Sequence, residues 1–152
     1  FILWGYCGGI DGYVEIGDVI IAKGALREEG TSYHYLKDQK ASINTGWFDF
    51  WKEDARAYGF KEGVIWSCDA LYRETQNKIV KYGDMGICGV EMEVASFYAV
   101  CTYKNLRAIA FLVVSDLFSN GEWEGGFLTQ SLAKGKDRLT DFVINRVIQG
   151  PC

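Results

Sequence analysis

Alternating apolar runs and segments of helical period predict an α/β domain with a central mixed, mostly parallel twisted sheet flanked by helices. The apolar runs FILW (1–4), DVIIA (18–22) and RAIAFLVVSD (107–116) suggest the strands. The stretch GWFDFWKEDARAYGF, with Phe48, Trp51, Ala55 and Tyr58 spaced by three and four, suggests a helix packed on one face of the sheet.

Taken in order, FILW reads as a buried strand ending at the glycine-rich GYCGGIDG. The turn at Gly17 and Asp18 then opens a second strand at DVIIA. Those early glycines suit either close backbone approach to a bound group or a plain turn between strands. Residues 24–45 are polar without periodicity and read as a functional loop or lid. Asn44 and Thr45 are polar residues placed to precede the Phe48 helix. GVIWSCDA (63–70) is a short strand delivering Ser67 and Asp69, and residues 73–86 read as a connection. A helix is expected over 91–104, with Met92, Ala95, Ser96, Ala99 and Val100 as its packed stripe. The last helix spans about 129–149, with Leu139, Phe142, Val143 and Val147 inward, before the closing GPC. Ligands of such sheets sit beyond the carboxyl ends of strands. The loop at Gly5–Gly9, the turn at Ser67–Tyr72 and the pair Ser115-Asp116 could therefore share one pocket.

The 152 residues fit a single domain, and 49% hydrophobic with 24% charged residues is a globular balance. A net charge of −4 argues against a nucleic-acid partner. No apolar run is long enough to cross a bilayer and no signal peptide is evident, so a cytoplasmic protein is expected. Cys7, Cys68, Cys88, Cys101 and Cys152 are scattered and odd in number, which suits reduced thiols. His34 is the only histidine, leaving few options for a metal site or a Ser-His or Cys-His pair. Phe1 begins inside an apolar strand pattern, so the chain is expected to lack an N-terminal part. Glu91 and Glu93 in VEMEVASFYAV suit the positive end of a helix dipole without any ligand.

The segments GYCGG, GDVIIAKGALREEGTS, GVIWSCDALYRET, GVEMEVAS and VVSD, in this order up to about Asp116, resemble the nucleoside phosphorylase family. That family comprises purine nucleoside and uridine phosphorylases together with nucleosidases. The resemblance implies a family-like fold incomplete at its N-terminus and cleavage of a purine nucleoside by phosphate, giving free base and ribose 1-phosphate. Phosphate is the co-substrate, with no metal or organic cofactor, and a dimeric or hexameric homo-oligomer is the expected assembly.

The same resemblance assigns Glu93 to the ribose hydroxyls, since a carboxylate can accept a charge-assisted bond from each hydroxyl of a diol. Met92 would pack on the sugar, with Val90 and Glu91 nearby. Asp116 resembles a general acid that protonates N7 of the leaving base, oriented by Ser115. This needs a proton held near neutral pH, and the run IAFLVV suits a desolvated setting. Cys7 and Gly8 would border base and sugar through their backbone. Leu71, beside Tyr72, stands where relatives place an aromatic against the base. Arg73 and Gln76 do not keep the spacing with which uridine phosphorylases read a pyrimidine. The pattern fails at phosphate: Leu3 and Tyr6 stand where phosphorolytic relatives have an arginine and a serine or threonine. Tyr6 and Arg27 are the remaining phosphate candidates. Alternatives are a nucleosidase using water, a uridine phosphorylase, and a non-catalytic storage protein or paralogue of the same fold.

Overall fold

The computed structural model describes residues 1–10, 12–37, 42–43, 46–119 and 121–150. Its central strands are buried on both faces. In β1 (Ile2–Ile10) and β2 (Val19–Glu28) the chain lays down two long strands. A one-turn helix α1 (Ser32–Tyr35) and the short strand β3 (Ser42–Ile43) follow, then α2 (Phe48–Ala57) and β4 (Lys61–Cys68). A 3-10 turn (Leu71–Arg73) leads to α3 (Gln76–Asp84), β5 (Ile87–Glu91) and α4 (Val94–Tyr103). The chain closes with β6 (Ile109–Ser119), β7 (Glu122–Gly125) and α5 (Gln130–Phe142), which runs into a π-helical segment, Val143–Ile148.

Among the described residues seven strands pair in the order β3-β2-β4-β5-β1-β6-β7, and β2 also pairs with β6. Strands β2, β4, β5, β1 and β6 therefore form a closed ring, which removes the open edges a flat sheet would expose. The sheet is mixed: the long ladders β1–β6 and β2–β4 are parallel, as is β4–β5, while β1–β5, β2–β6 and the two outer pairings are antiparallel. Alternate residues of β6 enter different cores. Ala110, Leu112 and Val114 pack with α4 residues Ala95, Tyr98 and Ala99, whereas Ile109, Phe111 and Val113 meet Trp51 of α2 and Leu139 and Phe142 of α5. Burial of both strand faces is why this run is continuously apolar.

Tyr98 completes the closure. Its hydroxyl donates to the Ala22 carbonyl at 2.6 Å and accepts from the Ala110 N–H at 2.9 Å. Ala22 and Ala110 lie one step beyond the last β2–β6 pair, Ile21↔Phe111, so the phenol bridges the strands where the ladder stops.

Several boundaries differ from expectation. The segment expected to be a loop at Gly5–Gly9 is strand, because β1 continues through it to Ile10. Its glycines answer close packing: a Cβ on Gly9 would come within 2.7 Å of Leu117 and 2.8 Å of Val14. The supposed polar loop is strand up to Glu28 and then α1. The connection at 73–86 contains α3, built on buried Ile79. Glu91 ends a strand, and α4 starts only at Val94, burying Val94, Ala95, Tyr98, Ala99 and Cys101. Met92 thus lies outside the helix. Asn44, Thr45 and Cys152 fall outside the described residues. No helix among the described residues is long and apolar enough to cross a membrane.

Candidate functional site

Asp116 sits inside β6, opposite Gly8 of β1, and on the other side β7 folds back to pair Asp116 with Gly125. This hairpin puts Trp123 beside the carboxylate, and its indole Nε1–H donates to Asp116 Oδ2 at 2.9 Å. Asp116 Oδ1 accepts from the Ser115 hydroxyl at 2.6 Å. Ser115 Oγ also lies 3.3 Å from the Cys7 carbonyl. A hydroxyl has a single proton to give, so Ser115 can serve ionised Asp116 or turn to Cys7 O and accept from the protonated acid.

A cavity of about 230 Å³ opens at this point, lined by Gly8, Gly9, Ile10, Leu71, Glu74, Ile79, Val90, Asp116, Phe118 and Trp123. The three segments expected to meet do meet: Gly8 from β1, Leu71 after β4 and Asp116 from β6 share its wall. Gly8 has to be small there, because an added Cβ would stand 3.1 Å from Asp116 Oδ2 and 3.4 Å from Val90. Cys7 faces the other way, with its thiol buried in the core; burial, and then the charges of Glu91 and Asp116 among its neighbours, push that thiol well above its ordinary range. Tyr72 is 95% exposed and is not among the residues that line the cavity.

The VEME segment divides its labour. Glu91 is buried, and its Oε2 accepts the N–H groups of Glu93 at 2.7 Å and Val94 at 2.8 Å. Its Oε1 accepts from the hydroxyl of Ser67, which in turn accepts the Ala95 N–H at 2.9 Å. Glu91 therefore caps α4 from the preceding strand, satisfying amides the first turn leaves open. Burial pushes its carboxyl upward, against these donors. Glu93, at the N-cap position of α4, and Met92 are exposed. The Glu93 carboxylate has no hydrogen bond or ion pair within the described residues. It lies three residues beyond Val90, a span of at most about 10 Å.

Arg27 and Tyr6 lie elsewhere. Arg27 is buried, donates from Nε to Ser32 Oγ at 2.7 Å and from Nη2 to Leu36 O at 2.9 Å, and its guanidinium lies 4.1 Å from the Tyr33 ring centre. Tyr6 lines a separate hollow of about 340 Å³ between β1 and α5, with Trp4, Val113, Leu139 and Ile144. Among the described residues that line this hollow there is no carboxylate. Leu3 packs against the core of α4. No group of three or more His, Cys, Asp or Glu that could hold a metal occurs among the described residues.

Of the wall residues that the sequence reading did not name, two carry polar groups, Trp123 and Glu74. Trp123 was hidden because β7 was not foreseen, although Asn120-Gly121 is a hairpin signal. Glu74 follows the 3-10 turn, and its carboxyl is pushed up to about 6, first by burial and then by the negative charges of Asp116 and Glu28.

Residues 1–148 match the family model described as the phosphorylase superfamily. The chain belongs to this superfamily, that of the nucleoside phosphorylases. It is 30% identical over 145 residues to a guanosine phosphorylase of Halorubrum lacusprofundi, covering 91% of this chain and 59% of that protein. Against a DeoD-type purine nucleoside phosphorylase of Clostridium beijerinckii it is 32% identical over 123 residues, which is 78% of this chain and 52% of the relative. The chain thus spans little more than half the length of these phosphorylases. A solved structure of the P. knowlesi homologue of P. falciparum PNP superposes with a TM-score of 0.73 at 20% identity, over 93% of this chain and 59% of that one, and supports the fold.

Proposed function

We propose that this phosphorylase-superfamily chain carries the nucleoside cleft of an enzyme that cleaves the N-glycosidic bond of a purine nucleoside with phosphate. The observation that carries this reading is Asp116 in the cavity wall, held by Ser115 and Trp123 beside Gly8 and Val90. At about 230 Å³ the cavity is smaller than the roughly 300 Å³ at which pockets for whole drug-sized ligands begin. It suits a heterocyclic base, with the sugar outside it; Val90 is in the wall, and Met92 and Glu93 follow it in the chain. Glu93, with both oxygens unengaged, suits a vicinal diol. Asp116 would give its proton to the departing base as the glycosidic bond lengthens, and Ser115 would turn its own proton to follow. The names of the relatives from Halorubrum and Clostridium support a purine substrate and phosphate as nucleophile. Exposed Trp4, Tyr6 and Ile148 support a homo-oligomer.

One observation favours hydrolysis as a second reading. The described cavity wall contains two carboxylates and no arginine or lysine, and Leu3 and Tyr6 supply no cation to neutralise phosphate. Release of base from inosine, guanosine and adenosine, followed with and without phosphate, tests both. Phosphate-dependent release supports the phosphorylase, and equal release without phosphate supports the nucleosidase. No release in either condition overturns the enzymatic proposal.

A further inference from the structure

Glu74 is a wall residue for which the proposed chemistry has no task. Its half-buried carboxyl accepts no hydrogen bond from the described residues, although the cavity opens directly onto it. The charged groups acting on it come from three elements: Asp116 on β6, Glu28 on β2 and Lys78 on α3. Asp116 is already engaged by Ser115 and Trp123, and Lys78 Nζ is held by Glu28 at 2.6 Å. A partly desolvated acceptor that no described residue satisfies is open to a donor from water or from a bound ligand. The surrounding wall of Leu71, Ile79 and Phe118 is apolar and offers a base only its faces.

We propose that Glu74 is a specificity-determining residue that selects a guanine-type base by accepting hydrogen bonds from its ring N–H and the adjacent exocyclic amino group. This rests on the cavity being the base site of a nucleoside. An ionised carboxylate is acceptor-only, and its two oxygens match two parallel N–H donors. Adenine presents a ring-nitrogen lone pair at the corresponding edge, which the carboxylate repels. The carboxyl is displaced to about 6 by burial and by Asp116 and Glu28, which gives the contact a pH signature. Guanosine binding strengthens as pH rises through about 6, while adenosine, which can accept from the protonated acid, does not follow.

Calorimetric titration of the purified protein with guanosine and with adenosine, without phosphate, at about pH 5 and about pH 8 tests this. At the higher pH the wild type should prefer guanosine by about tenfold or more. That preference should shrink at the lower pH, and Glu74→Gln should abolish both the preference and its pH dependence. A wild type without guanosine preference, or a Glu74→Gln protein that retains it, overturns the proposal. The pH comparison needs no variant, so it stands even if the substitution disturbs folding. Guanosine preference without any base release would remove the phosphorolysis reading and leave this one intact, whereas base release with unchanged preference in Glu74→Gln would do the reverse.

Discussion

Glu91, which follows the wall residue Val90, and Glu74, which lines the cavity itself, are built in opposite ways. Glu91 is buried and receives one hydroxyl and two backbone N–H donors from its own chain. Glu74 is half-buried beside Asp116 and receives none from the described residues. The first is satisfied by folding; the second is left for something that arrives later. Charge and location in a site therefore do not identify a ligand contact, and the supply of internal donors separates the two cases.

Substitutions sharpen this contrast. Glu91→Ala should cost about 3 kcal/mol of stability, because it strands the amides at the start of α4 and the Ser67 hydroxyl, and urea unfolding would show the loss as a lower midpoint. A cost below about 0.5 kcal/mol would dissolve the distinction. Glu93→Gln should leave the unfolding midpoint unchanged while weakening nucleoside binding by about tenfold and free-base binding hardly at all, measured by calorimetry. Equal losses for nucleoside and base would remove the sugar contact. Trp123→Phe deletes one donor to Asp116 at an exposed position and should lower turnover by only about threefold. The smallest effect concerns Glu74 and stability. Its folded-state value is raised, so its contribution is present at low pH and lost as pH rises through about 6. Glu74→Gln should accordingly gain relative to wild type between about pH 5 and about pH 8, by less than about 1 kcal/mol given its exposure. A variant that instead becomes relatively less stable with rising pH would show that an internal donor holds the carboxylate after all.

Much of this arrangement was legible from residue pattern. The β6 run from Ile109 to Val114 is apolar on both faces, and the spacing of Trp51 and Ala55 marks the inner side of α2. The motifs GVEMEVAS and VVSD pointed to the family, which the match over residues 1–148 shows. The glycines of β1 misled because close packing and turning both call for glycine: Gly9 is needed by Leu117 and Val14, not by a turn. Glu91 looked helical because β5 is only five residues long and runs almost directly into α4. The capping role of Glu91 depends on Ser67, 24 residues away, a contact no local pattern encodes. Trp123 and Glu74 reach the cavity only through the fold-back of β7 and the 3-10 turn after β4.

The proton on Asp116 is the centre of the proposed chemistry. Initial rates of base release at saturating purine nucleoside, compared between wild type and Asp116→Asn, measure its contribution directly. A fall in kcat of about 10² to 10⁴, with KM changed far less, is the predicted result. An Asp116→Asn protein turning over within about twofold of wild type would contradict it, and with it the assignment of this cavity as the place where the glycosidic bond breaks.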